Sequence, residues 1–244
     1  MPSSEASGGL VTLETSTGIL HGEPITPWCE NAEVAWELLD RRRRLNRMKR
    51  GVHAAAALLE QKFEGRRFSR WMVTLTYRRG AEHRRKQVTE YLQRLRDWAR
   101  YRKIEFAYVW VIELTKAGTP HYHLIVWLQR GYRLPKGDTL GWWPHGMTQT
   151  VRARNPVGYL VKYASKGADS EHAIPRGARL FGCGGLSRED RLTKCWRLLP
   201  KFVKEAFDEG DRIVRARGGG WLNHDTGEFL EGVRLVYYGH HIFV

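Results

Sequence analysis

Strict apolar–polar alternation marks "RWMVTLTYR" (70–78) as a strand, with Met72, Thr74 and Thr76 on one face and Val73, Leu75 and Tyr77 on the other. The period then changes. In "EHRRKQVTEYLQRLRDWARYRK" (82–103), Val88, Tyr91, Leu92, Leu95, Trp98 and Ala99 recur at helical spacing, which predicts an amphipathic helix. Two further strands follow, "IEFAYVWVIELT" (104–115) and "HYHLIVWLQ" (121–129), joined by "KAGTP". "GMTQTVRA" (146–153) reads as a short strand, and a helix begins at Asn155. Strand, helix, hairpin, strand, helix is the order of an α+β domain, a central antiparallel sheet with flanking helices.

Outside this block the pattern is looser. Residues 1–28 are rich in Ser, Thr, Gly and Pro, and the sequence predicts a weakly ordered lead-in. Asn31 is a candidate cap for a basic helix that breaks near Gly51 and resumes in "VHAAAALLEQKF". Beyond residue 170 come a Gly-rich loop ("FGCGGLS"), one helix over "LTKCWRLLPKFVKEAF" and a tail of strands and turns. The expected organisation is a lead-in (1–30), a basic helical segment (31–66), a central domain (67–170) and a small α/β extension (171–244).

Charge sharpens this picture. Lys and Arg number 41 against 26 Asp and Glu, a net charge of +15. A surplus of that size fits a polyphosphate partner, and ten Trp and ten Tyr offer faces for unpaired bases. A generally basic surface with an aromatic core would have the same composition. "RRRRLNRMKR" (41–50) holds seven basic residues in ten, so Arg41, Arg42, Arg43 and Arg44 are candidates for DNA contact. Arg176 and Arg179, beside the Gly-rich loop, are further candidates, as are Thr74 and Thr76. No GxxxxGK[ST] occurs, so no P-loop motor is encoded. No apolar run reaches membrane-span length, and the polar start is unlike a secretory signal. Cys29, Cys183 and Cys195 form no C-x-x-C pair, and the expectation is reduced thiols in the cytoplasm.

The hairpin carries the first candidate chemistry. A three-residue loop Lys116-Ala117-Gly118, with Gly118 in the left-handed region, pairs Thr115 with Thr119 and so Glu113 with His121. His121 and His123 then share a face with Glu113, and Tyr122 points away. A two-residue loop would move Glu113 to the far face. Two imidazoles and a carboxylate make a plausible set for a divalent cation, Mn²⁺ or Mg²⁺. Histidines satisfied by neighbouring acceptors are the competing reading.

The second candidate is "NPVGYLVKYASKG" (155–167). Asn155 supplies an N-cap, Pro156 the first turn and Gly167 the exit. Val157, Leu160, Val161 and Ala164 fall on one side, and Tyr159, Lys162, Tyr163 and Lys166 on the opposite side, within an arc of about 100°. A phenol needs help to lose its proton, and cations supply it while offsetting charge on an attacked phosphate. Two tyrosines one turn apart suit successive attacks on two phosphodiesters.

Together "VTLTY" (73–77), "PHYHLIVW" (120–127) and "YLVKYASK" (159–166) resemble, in order and spacing, the three motifs of the HUH endonuclease superfamily of rolling-circle replication initiators in its two-tyrosine form. The resemblance covers about residues 70–167. It implies a metal on His121, His123 and Glu113, a nick in single-stranded origin DNA, and a 5′-phosphotyrosyl link to Tyr159 or Tyr163. It further implies that Lys162, or else Lys166, aids catalysis, and that a host helicase separates strands in a bacterial cytoplasm. A transposase or mobilisation relaxase of the same superfamily, and a basic DNA-binding or regulatory protein without turnover, stay open as alternatives.

Overall fold

In the computed structural model, which describes residues 27–115, 117–166, 178–217, 219–232, 236–238 and 241–243, five strands form one antiparallel sheet. They are β1 (Phe68–Tyr77), β2 (Phe106–Leu114), β3 (Pro120–Gln129), β4 (Gly146–Arg152) and β5 (Phe181–Gly184), in the order β4-β1-β3-β2-β5. β2 and β3 are buried on both faces, which is why they read as near-continuous apolar runs. β1 alternates strictly, with Trp71, Val73, Leu75 and Tyr77 buried and Met72, Thr74 and Thr76 half-buried. Fold class and the order of β1 to β4 along the chain are therefore as the sequence predicts.

Helices cover both faces. The Leu45–Phe63 part of α1 (Pro27–Phe63) and α2 (Gln87–Tyr101) lie on opposite sides of the sheet. α2 lays Val88, Tyr91, Leu92, Leu95 and Ala99 against Val73, Leu75, Leu124 and Val126. On the other face Leu45, Met48, Val52, Ala55, Leu59 and Phe63 form a stripe at steps of three and four against Val109, Ile125 and Trp127. Trp127 Nε1 donates to Glu60 Oε1 over 2.7 Å, and Glu60 also pairs with Arg70 at 2.7 Å. The chain divides into two compact units between Leu39 and Asp40, and the sheet belongs to the second.

Two expectations for α1 fail. Asn31 is inside the helix, which starts at Pro27, a residue whose missing N–H and fixed φ suit a first turn. Gly51 does not break it either. The ring of Phe181 lies where a Cβ on Gly51 would sit, so glycine lets β5 approach the helix. Apolar burial on both sides of Gly51 outweighs its propensity cost of about 1 kcal/mol.

The C-terminal region departs further. "FGCG" is not a loop but β5, paired with β2 through Tyr108↔Gly184 and Trp110↔Gly182. A Cβ at Gly182 would meet Trp110 Nε1 at 2.6 Å, and one at Gly184 would meet the Tyr108 ring at 2.6 Å. These glycines seat two aromatic rings of the neighbouring strand, a role invisible in strand propensities. The helix expected over 192–207 is two, α4 (Arg188–Leu198) and α5 (Lys201–Ala206). Leu199 precedes Pro200 and takes ψ 150°, where proline pushes its neighbour. A small sheet of β6 (Ile213–Arg215), β7 (Trp221–Asn223) and β8 (Phe229–Leu230) packs with α5 around Leu199, Val203 and Phe207. β9 (Val236–Tyr238) and β10 (His241–Phe243) pair as a separate two-stranded unit. Residues 1–26 of the lead-in and the Gly167 helix exit lie outside the described residues, and from Pro27 the chain is already helical.

Candidate active site

The β2–β3 turn sets the site. Thr115 N donates to Thr119 O and Gly118 N to Thr115 O, both over 2.9 Å. Gly118 has φ +75°, the left-handed value that this turn demands and glycine permits. The resulting register pairs Glu113 with His121, as the three-residue loop predicts. Two rungs run across the sheet: Met147–Thr76–His121–Glu113 and Gln149–Thr74–His123–Val111–Phe181. Side chains along a rung share a face, so both threonines, both histidines and Glu113 look the same way.

His123 is the best held of these. Its Nε2 lies 2.6 Å from Glu113 Oε2, and both side chains are largely buried, at 7% and 13% exposure. A carboxylate only accepts, so Nε2 carries the proton and Nδ1 accepts from Thr74 Oγ1 at 3.3 Å. Thr74 thus orients a histidine, a role its sequence position did not reveal. His121 lies beside it, ring centroids 6.3 Å apart and planes at 69°. Burial depresses the His121 pKa, the neighbouring His123 adds to this, and Glu113 opposes it.

The back of β3 is fixed separately. Tyr122 turns to the opposite face, as expected, where its hydroxyl meets His83 Nε2 at 2.8 Å amid Tyr77, Trp110 and Trp143. Burial pushes the Tyr122 phenol up to about 12 and raises Tyr77 and Tyr91 as well. Phenols held protonated in this way are unsuited to nucleophilic work. His145 sits in the turn before β4, stacked on Tyr77 at 6.0 Å, a structural place. His83 was not legible as a partner of Tyr122, because nothing in "RRGAEHRRK" sets it apart as the residue whose ring meets that hydroxyl.

The tyrosine helix is α3 (Pro156–Lys166), and it lies over β2 and β3 on the histidine face. Asn155 Oδ1 accepts from Gly158 N over 2.9 Å, the predicted cap. Leu160 and Ala164 are buried against the sheet. The two tyrosines do not share one environment, contrary to the helical-wheel expectation. Tyr163 is only about 60° round the helix from Leu160, so it falls at the rim of the buried stripe. Its ring lies flat on His123, centroids 3.6 Å apart and planes at 7°. Tyr159, one turn earlier, is 37% exposed, and Lys162 is exposed. Lys166 ends α3, and its side chain lies outside the described residues.

The remaining candidates scatter. Thr76 is half-buried next to His121. Arg42, Arg43 and Arg44 are exposed on α1, whereas the Arg41 side chain and all of Arg176 lie outside the described residues. Arg179 is exposed just before β5.

Two imidazoles and a carboxylate on one face, two of them in contact, fit a divalent cation in donor type. Among the described residues no three His, Cys, Asp or Glu side chains converge on one point as they stand. Ligation would thus require rotation of side chains, with Glu113 and His123 exchanging their mutual bond for the ion, and no change in register.

Residues 70–168 match the family model of the replication-associated protein ORF2/G2P. The match runs from the third residue of β1 to two residues past α3, so it contains the histidine pair, Glu113 and both tyrosines. It supports a role in replication initiation. No curated protein and no solved structure matches the chain. Among the described residues no helix is long and apolar enough to cross a membrane.

Proposed function

We propose that the chain is a rolling-circle replication initiator of the two-tyrosine HUH type, a nickase and strand-transferase for single-stranded origin DNA. The observation that carries this reading is the contact of Tyr163 with His123, which in turn bonds Glu113. It joins a potential nucleophile to a potential metal-ligand set within one replication-associated match.

The phenolic oxygen of Tyr163 or Tyr159 attacks the scissile phosphorus. The phenol gives up its proton and the bond to the 3′ oxygen breaks, leaving a 5′-phosphotyrosyl link and a 3′-OH once that oxygen takes a proton in exchange. In strand transfer a 3′-OH attacks the phosphotyrosyl phosphorus, forms a new phosphodiester and releases the phenol. Lys162 and Lys166, on the tyrosine helix, offset charge on the phosphate and on the departing phenolate. Glu113, His121 and His123 would hold Mg²⁺ or Mn²⁺, which supplies Lewis-acid stabilisation of the phosphate when bound. Thr74 keeps the His123 ring oriented. The chain encodes no P-loop, so strand separation falls to a host helicase in the cytoplasm.

The test is a covalent adduct. Incubated with single-stranded origin DNA and Mn²⁺ or Mg²⁺ and then denatured, the protein should carry DNA through a tyrosine. The Tyr159→Phe/Tyr163→Phe variant should carry none. Binding without any adduct would favour a regulatory DNA-binding protein instead.

A further inference from the structure

Away from the histidines, five cations from three separate segments converge on one cleft. Arg44 and Arg47 come from α1, Arg179 from the lead into β5, and Arg191 and Lys194 from α4. The cleft has a volume of about 550 Å³, and its floor is formed by residues 180–186, including Gly182, Gly184 and Gly185. No acidic side chain lines it. Among the described residues, none of the five cations is in an ion pair with a carboxylate. Five clustered like charges with no carboxylate partner among the described residues repel one another and favour an external anion.

A second basic cleft, around Arg78, Arg84 and Lys86, lacks this property. Glu82 and Glu90 line it, and Glu82 already holds Arg84 at 2.9 Å. The β5 cleft therefore has the stronger claim on a polyanion.

We infer that the β5 cleft binds the phosphodiester backbone of single-stranded DNA beyond the nicking site, without reading its sequence. Arg and Lys here meet no Asn, Gln, Asp or Glu in the lining, so the cleft is poor in the side chains that, besides Arg and Lys, read base edges. β5 is the edge strand of the sheet, so one side of its backbone has no strand partner among the described residues and is available to phosphate oxygens. Phe181 in that floor shares a rung with Val111 and His123. Two strand spacings separate it from His123, about 10 Å. The affinity of the cleft for DNA does not depend on the cleavage chemistry proposed above.

The experiment uses the full chain in EDTA, with fluorescent oligo-dT of about 30 nucleotides and salt varied from about 50 to 200 mM. Arg47→Gln/Arg191→Gln should weaken binding and make the slope of log K against log salt shallower by about 1.4, at about 0.7 for each phosphate no longer neutralised. A mixed-sequence oligonucleotide should show the same loss. Arg44→Gln/Arg179→Gln is the second variant, in case the first fails to fold. If a folded variant keeps both the wild-type affinity and slope, the cleft is not a DNA site. A loss confined to one sequence overturns backbone recognition. A poly-glutamate peptide of equal charge that displaces DNA more tightly than oligo-dT itself overturns the choice of partner. Tyr159→Phe/Tyr163→Phe should keep the wild-type slope while forming no adduct, so failure of either proposal reads out separately.

Discussion

The Tyr163 ring lies flat on the imidazole of His123, 3.6 Å between centroids. One helical turn away, Tyr159 is 37% exposed and stacks on no ring among the described residues. A nucleophile already fixed beside the site has less freedom to lose on reaching its target. Tyr163 is therefore expected to make the first cut, and Tyr159 the second. In a single-turnover assay, Tyr163→Phe should slow adduct formation about 100-fold or more, and Tyr159→Phe should mainly impair re-cleavage and circle closure. The reverse order of effects would sink this assignment. Because phenylalanine keeps the stack, Tyr163→Phe should be more stable than Tyr163→Ala, which loses about 0.5–1.5 kcal/mol of ring–ring contact beyond its lost burial.

Glu113 and His123 hold one another in a largely buried contact of 2.6 Å. A cation that takes both must replace that bond, and binding to the folded state alone stabilises it. At Mn²⁺ about a hundredfold above its Kd, unfolding should cost about 2.7 kcal/mol more, reversed by EDTA. The gain should vanish in His121→Ala and Glu113→Gln. Melting curves that ignore Mn²⁺ and Mg²⁺ in the parent protein would remove the metal from the mechanism. Without metal, Glu113→Ala should still destabilise by about 1–3 kcal/mol, because His123 Nε2–H loses its acceptor in a buried place.

Much of this architecture is legible in the sequence. The alternation in β1, the register across the β2–β3 turn and the Asn155 cap are all local, decided by side-chain period, by Gly118 and by one hydrogen bond. What escaped is what depends on partners distant in the chain. Gly51 reads as a helix breaker until Phe181 is seen against it, and Gly182 reads as loop until Trp110 is seen beside it. At the site, the ligand candidates follow from register alone. The stack of Tyr163, the hold of Thr74 on His123 and the support of Tyr122 by His83 need three dimensions. Likewise Arg44 and Arg179 belong to unrelated stretches of sequence and meet only because β5 packs under α1.

The glycines of β5 give a direct check on that packing. Alanine at Gly182 or Gly184 would drive a methyl group into the Trp110 or Tyr108 ring at 2.6 Å. Overpacking of this kind costs about 1–3 kcal/mol. Each substitution should lower the denaturant midpoint with little change in m value. If Gly182→Ala leaves the midpoint where it was, β5 does not pack on β2 as described.

Three histidines should make the fold sensitive to mild acid. Burial depresses the pKa of His83, of His121 and of His145 below the usual 6.5; the neighbouring His123 adds to the effect at His121, where Glu113 opposes it, and Arg78 and Arg84 add to it at His145, where Glu90 opposes it. All three are neutral in both folded and unfolded chains well above that value. As pH falls through 6.5 the unfolded chain takes up protons first, so unfolding becomes easier. Stability should hold above neutrality and decline from pH 6.5 downward, towards the lower folded-state values. Chemical denaturation across that window checks the sign. His83→Gln, which has no proton to gain there, should flatten the decline. Stability that rises as the solution is acidified would show that these imidazoles gain their charge in the folded state, against the burial argued for them.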